Sequence, residues 1–223
     1  MLDAPIRSAL ATPLDAVASR LDRRWVTPDR ITMAGLLLGL AAAGAAAGGW
    51  WAPALALWLS SRVADGLDGP LARRRRARGT STSGDAGGFL DITADFVVYG
   101  AFVVGVGVGW GGSMLPFLVV LLAYYINGAT FLAFSSIAER TGRRLDDGRS
   151  LSFLGGLAEG TETIVVHSLW VLAPTVAGPV AWVWAGIVLL SGGHRMVAGY
   201  RILRAPPAGD GRPPPDPAER SAA

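Results

Sequence analysis

Three long stretches without a charge divide the chain: 31 residues between Arg30 and Arg62, 43 between Asp95 and Glu139, and 32 between Glu162 and Arg195. A helix rises about 1.5 Å per residue and a bilayer's hydrocarbon core is about 30 Å thick, so each stretch exceeds one crossing and has to fold back. Helix breakers stand near the middle of each, at Gly48-Gly49-Trp50-Trp51-Ala52-Pro53, at Gly109-Trp110-Gly111-Gly112, and from Pro174 through Pro179 with Gly178. Three hairpins of this kind predict an all-α polytopic membrane bundle of six transmembrane helices. Trp50, Trp51 and Trp110 fall at the predicted turns, where an amphipathic indole suits the headgroup level. Ahead of the first span, Leu14, Val17, Leu21 and Trp25 share one helical face with Arg20, Arg23 and Arg24 beside it. That pattern predicts an N-terminal interfacial amphipathic helix lying on anionic lipid. Residues 1–28 then form this helix and an entry segment, and residues 29–204 the six-helix domain. Residues 205–223, with six Pro among 19 residues, form a tail expected to be disordered.

Composition agrees with a membrane class, at 51% hydrophobic and only 17% charged residues. Every basic residue other than histidine is Arg, and the arginines are placed asymmetrically. The three hairpin tips carry none. The opposite ends carry Arg20, Arg23, Arg24 and Arg30, then Arg73 to Arg76 with Arg78, then Arg140, Arg143, Arg144 and Arg149, then Arg201 and Arg204. The positive-inside rule therefore predicts a protein of the cytoplasmic membrane with both termini and both long loops in the cytoplasm. The first 30 residues lack the apolar core of a signal peptide, so nothing there reads as cleaved. With no Cys in the chain, disulfide frameworks, thiolate metal sites and thiol nucleophiles are excluded, and the chemistry has to come from oxygen and nitrogen.

The unusual feature is four carboxylates inside predicted spans. Asp65 and Asp68 stand just before the Arg73 cluster, and Asp91 and Asp95 lie shortly after the chain re-enters, so all four fall in the cytoplasmic part of the bilayer. A carboxylate there costs about 2.5 to 3.5 kcal/mol on insertion scales, and four need neutralising. Spacings of three and four put each pair on one helix face. Arg62 offers one positive charge against four, and at three positions before Asp65 it reads as a local ion-pair partner. Two divalent cations would balance the sum, and hard oxygen ligands suit Mg²⁺ or Mn²⁺. The plainer alternative makes these carboxylates half-exposed helix ends paired with arginines of the 73 to 78 cluster. Gly69 and Ala72 follow Asp65 on its face and Gly87 precedes Asp91 on its own, leaving room for a bulky ligand near the backbone. Arg73 stands at the rim, where a guanidinium can clamp a diphosphate.

The run Asp65-Gly66-Leu67-Asp68-Gly69-Pro70-Leu71-Ala72-Arg73, followed by Gly87, Asp91 and Asp95, resembles the signature of the CDP-alcohol phosphatidyltransferases, D-x-x-D-G-x-x-A-R, a spacer, then G-x-x-x-D-x-x-x-D. Eight fixed positions match. The spacer departs from the pattern: 13 residues separate Arg73 from Gly87 where the family has eight or nine, and the extra residues are expected to lengthen the cytoplasmic loop. Thr27-Pro28-Asp29-Arg30-Ile31-Thr32 is similar to the family's segment entering the first span, with Asp29 where relatives often have Asn. The resemblance covers residues 26–204. It implies a metal-dependent transfer of a phosphatidyl or phospho-alcohol group from a CDP-alcohol, such as CDP-diacylglycerol, to an acceptor alcohol with release of CMP. It further implies two ions held chiefly by Asp65, Asp68 and Asp91, with Asp95 near the second ion and acting as general base. Asp29, Thr32, Gly69, Ala72, Arg73 and Gly87 would serve the nucleotide and its diphosphate. The partners implied are a CDP-linked lipid, an acceptor alcohol and membrane lipid, and no nucleic acid.

The acceptor is read from the fifth predicted helix. It begins Gly156-Leu157-Ala158-Glu159-Gly160-Thr161-Glu162-Thr163, and no Arg or Lys occurs from Ser150 to His194. Relatives that use phosphorylated acceptors tend to carry Arg or Lys here. Glu159 and Glu162 would repel a phosphate, which suggests an unphosphorylated acceptor, unless they merely complement the positive end of a helix. His167 and His194 read as packing residues, and Asn127 as either a helix contact or a cavity residue. Gly35 with Gly39, and Gly44 with Gly48, are spaced for close helix contact and leave room for a homodimer face. Two other classes fit Asp-rich spans: a divalent-cation or proton transporter, and an intramembrane prenyltransferase.

Overall fold

The computed structural model describes residues 3–23, 25–80, 84–141 and 160–204. These form α1 (Asp3–Leu21), α2 (Pro28–Ala47), α3 (Trp51–Ala77), α4 (Gly84–Trp110), α5 (Leu115–Arg140), α6 (Gly160–Leu172), a 3₁₀ turn (Pro174–Val176) and α7 (Ala177–Arg204). No strand occurs among the described residues. Four segments are long and apolar enough to cross a membrane: Pro28–Ala47, Asp85–Trp110, Leu115–Arg140 and Pro174–Arg204. The other two helices of the expected six differ in kind. At 27 residues α3 has the length, but it carries Arg62, Asp65 and Asp68 and ends in a run of Arg. Only 13 residues of α6 are described, about 20 Å of helix. Arg24, the 142–159 segment with Arg143, Arg144, Arg149 and Glu159, and the 205–223 tail lie outside the described residues.

All three sets of breakers end helices. Gly49 and Gly111 turn the chain with φ of +71° and +73°, the left-handed region where a side chain is strained. Pro174 opens the 3₁₀ turn before α7. At the other end of the first hairpin, the Thr27 hydroxyl accepts from the Arg30 backbone N–H at 3.3 Å and Pro28 takes the first helical position. Of the 13 spacer residues after Arg73, 74–77 continue α3 and 84–86 begin α4.

Helix α2 packs on both α3 and α4, and α5 packs on α7. Small residues set the first of these contacts. A Cβ on Gly39 would come within 2.5 Å of Val98 and 3.0 Å of Ser61 Oγ, and one on Gly105 or Gly109 would run into the carbonyls of Ala43 or Ala46. Backbones can meet only where side chains are missing. Gly35 and Gly39 therefore face α3 and α4 within one chain, which removes the ground for a dimer face there, while Gly44 has nothing within 4 Å. The buried core holds Trp58, Phe102, Phe117, Trp170 and Trp184. Of the turn tryptophans, Trp50 is exposed, whereas Trp110 lies over Gly112 and Gly178.

Helix α1 lies on α3. Ala18 is buried and Leu14 reaches Gly66, where a Cβ would stand 3.5 Å from it, while Val17 and Trp25 stay exposed. Part of the expected lipid-facing stripe is thus covered by protein. The linker after α1 is clasped to the end of α3: Arg75 Nε and Arg78 Nη1 donate to Asp22 at 3.2 and 2.6 Å, and Arg75 Nη2 donates to the carbonyls of Arg23 and Val26, both at 2.8 Å.

Candidate active site

The carboxylates of α3 and α4 face one another beside the first turns of α2. Asp65 and Asp95 line the same small cavity of about 10 Å³, with Thr32, Gly35, Arg62 and Ala94. The two carboxylates lie within hydrogen-bonding reach of each other. Asp68 is buried and accepts from the Thr32 hydroxyl at 2.6 Å, which ties α3 to α2. Asp91, one turn before Asp95, has Asp68 and Asp95 as acidic neighbours. The packing of α3 and α4 therefore brings the two motif halves together, a step that spacing within each helix does not determine.

Arg62 changes the picture drawn from spacing. Its closest carboxylate is not the local Asp65, 3.8 Å away, but Asp95 on the next helix, bonded at 2.7 Å. The guanidinium is buried, lies 5.1 Å from the Trp58 ring centre and 4.8 Å from that of Tyr99, and donates to Ser61 Oγ at 3.0 Å. Ser61 Oγ in turn donates to the Gly35 carbonyl at 2.7 Å. Rings and hydroxyl fix Arg62 so that it bridges the two acidic helices. Among the described residues no three acidic or imidazole side chains converge closely enough to hold an ion together. The donor set nonetheless fits a hard divalent cation: it is all carboxylate oxygen, four acids against one guanidinium.

The remaining expected residues lie around this centre. Arg73 is exposed, and its Nη1 stands 3.4 Å from where a Gly69 Cβ would be, an ordinary contact that places the guanidinium over Gly69. Ala72 and Gly87 are half-buried on the same two helices, and Asp29 sits in the first turn of α2.

A second and larger cavity, about 430 Å³, opens on the other side of Asp95. Asp95, Tyr99, Tyr124, Asn127, Thr163 and Arg195 are among its lining residues. Arg195 is 4% exposed and donates to Asn127 Oδ1 at 3.1 Å. Glu162 sits in the first turn of α6 between the lining residues Gly160 and Thr163 but does not line the cavity itself. Sequence reasoning missed Tyr99, Tyr124 and Arg195 as cavity residues. The available signal was an arginine inside an apolar helix, which on insertion cost alone marks a functional position.

This constellation on an all-helical membrane fold defines a class. A family model for CDP-alcohol phosphatidyltransferase matches residues 25–191. The chain belongs to that family and is a transferase of phospholipid synthesis. The family removes the ground for the transporter and prenyltransferase alternatives. Among relatives, the chain is 33% identical over 218 residues to the inner membrane protein YnjF of Escherichia coli strain K12, covering 92% of this chain and 98% of that protein. It is 32% identical over 173 residues to the archaetidylinositol phosphate synthase of Methanothermobacter thermautotrophicus, covering 76% and 78%. Among solved structures it is similar in fold to the phosphatidylinositol phosphate synthase PgsA1 of Mycobacterium tuberculosis. With CDP-DAG bound, that structure gives a TM-score of 0.65 at 20% identity, covering 90% of this chain and 98% of the other. With manganese and citrate the TM-score is again 0.65, at 21% identity, covering 90% and 93%.

Proposed function

We propose that the chain moves a phosphatidyl or related phospho-alcohol group from a CDP-alcohol, CDP-diacylglycerol foremost, to an acceptor alcohol, releasing CMP. One observation carries the reading: Asp95 lines both the small acidic cavity with Asp65 and the large cavity that reaches Arg195. A carboxylate that stands among the acids and also borders the large cavity can take the proton of an acceptor hydroxyl as its oxygen attacks the donor's phosphorus. The new P–O bond forms to the acceptor, the P–O bond to CMP breaks, and the electron pair leaves on the CMP phosphate. The CDP-DAG bound by the M. tuberculosis enzyme supports a CDP-linked lipid donor.

On the donor side we assign Asp29, Thr32, Gly69, Ala72, Arg73 and Gly87 to the nucleotide and diphosphate. Asp65, Asp68, Asp91 and Asp95 would hold two Mg²⁺ or Mn²⁺ ions, a choice supported by the manganese in the neighbouring structure. Such ions, when bound, offset diphosphate charge and stabilise CMP as it leaves. Arg62 holds Asp95 in place. On the acceptor side Arg195 supplies the basic group missing from Ser150 to His194. It removes the reason for an uncharged acceptor, and we assign a phosphorylated alcohol, as the names of the synthase relatives also suggest. Glu162 belongs to this end only through its neighbours Gly160 and Thr163. In the membrane, α2 to α7 make the six crossings with both termini and the site on the cytoplasmic side, and α1 rests at the interface.

The test is CMP release from CDP-diacylglycerol in detergent with Mn²⁺ or Mg²⁺, with and without acceptor. Release should need both metal and acceptor and should fall by about 10² to 10⁴ in Asp95→Ala, the range for one general base. Full retention by that variant excludes the assigned base.

A further inference from the structure

Four helices bring groups to one imidazole, and a fifth joins through Tyr124. His167 of α6 is completely buried. Its ring stacks on Trp170 of α6 at 4.6 Å between centroids and on Phe102 of α4 at 5.6 Å, with Trp58 of α3 at 5.0 Å and Tyr99 of α4 edge-on at 5.6 Å. Its Nε2 lies 2.8 Å from the hydroxyl of Tyr124 on α5, and that hydroxyl lies 2.8 Å from Nε1 of Trp184 on α7.

Donor chemistry sets the direction of one bond: an indole N–H only donates, so the Tyr124 oxygen accepts from Trp184. That oxygen keeps a second lone pair, so the phenol donates to His167 Nε2 only where the imidazole is neutral with its hydrogen on Nδ1, and the surroundings of Nδ1 decide the case. Nδ1 has no hydrogen-bond partner among the described residues, and the ring's surroundings are aromatic. Against electron-rich ring faces an N–H is a better neighbour than a lone pair. Tyr124 and Tyr99, which both rest on His167, are both walls of the large cavity.

We propose that His167, as the neutral Nδ1–H tautomer, is a positioning residue for the acceptor cavity. It draws the Tyr124 hydroxyl into the protein and holds it there with Trp184. With the hydroxyl engaged by His167, Trp184 and Thr163, the cavity meets Tyr124 chiefly as ring surface, and recognition of the acceptor falls to Asp95, Asn127 and Arg195. The inference rests on the proposed acceptor site, and its test has an arm that does not.

The arm independent of turnover is ¹⁵N NMR of histidine-labelled full-length protein. The chain has two histidines, and His194 is exposed, so His194→Gln leaves the His167 signals alone. The expected spectrum shows one protonated nitrogen, Nδ1, and one bare nitrogen, Nε2. A proton on Nε2, or on both nitrogens, overturns the assignment. The second arm is kinetic. His167→Phe keeps the stack and cannot accept from Tyr124, so the acceptor KM should rise about tenfold for one lost buried hydrogen bond while the donor KM stays within about twofold. His167→Gln, whose amide oxygen can accept, should recover part of the loss. Equal rises in both KM values, or an unmoved acceptor KM in monodisperse His167→Phe, overturn the positioning role. Arg195→Ala separates the two failures. If it raises the acceptor KM and His167→Phe does not, this inference fails, and if neither does, the acceptor site itself is misplaced.

Discussion

Helices α2, α3 and α4 meet through glycine and alanine, with Gly39, Gly105 and Gly109 letting backbones touch and only a 10 Å³ space left among the acids. Helices α5, α6 and α7 meet α4 through large rings and enclose a space some forty times larger, lined by Tyr99, Tyr124, Asn127 and Arg195. In the proposed reaction the tight half fixes the charged groups that serve the diphosphate, and the open half, shaped by side-chain identity, is where the acceptor is chosen. Asp95 belongs to both.

The largest test of the contrast removes the bridge in the tight half. Arg62→Ala leaves two close carboxylates without their guanidinium; the arginine is buried but both acids are about a third exposed, so the loss is that of a hydrogen bond between charged groups, about 1.5 to 3 kcal/mol. Its thermal midpoint should drop sharply in a chelator and recover in part with Mn²⁺, since a cation can replace the lost charge. A midpoint equally low with and without Mn²⁺ argues against a cation among these acids. Next in size, Gly105→Leu drives a side chain into the Ala43 carbonyl, an overpacking worth about 1 to 3 kcal/mol or more. Gly186→Leu, where nothing lies within 4 Å, should leave the midpoint nearly unchanged. Similar losses at both sites would deny that the tight contact is special.

The motif half was legible because its chemistry is local: Asp65 with Asp68 and Asp91 with Asp95 share faces by spacing alone, and the breaker clusters around Gly49, Gly111 and Pro174 end helices. The open half was not. Arg195 lies 100 positions from Asp95, and only the packing of α7 on α5 carries it to the cavity. The bond from Arg62 to Asp95 was hidden for the same reason, since helical spacing pointed to Asp65 and the tertiary contact proved shorter. Small residues misled in another way: Gly35 and Gly39 signal a close contact without naming the partner, which proved to be the chain's own helices.

Two smaller effects sharpen the contrast. Arg195→Ala should raise the acceptor KM by about tenfold to a hundredfold, the value of a hydrogen bond to a charged group, and leave the donor KM unchanged. A rise confined to the donor would reverse the assignment of the two cavities. Asp22→Asn loosens the clasp on Arg75 and Arg78; Arg78 is exposed while Arg75 and Asp22 are largely covered, and the amide oxygen still accepts one bond, so the cost is about 1.5 kcal/mol. Its thermal midpoint should fall slightly, with turnover at saturating substrate unchanged.

The most direct measurement of the central claim compares equilibrium binding of CDP-diacylglycerol with single-turnover CMP formation in Asp95→Asn, which keeps the shape of the side chain and removes its basicity. Donor binding within a few-fold of wild type, with CMP formation lowered by about 10² or more at saturating acceptor, is the expected result. CMP formation at the wild-type rate would contradict it, and Asp95 would then be no more than part of the acidic wall.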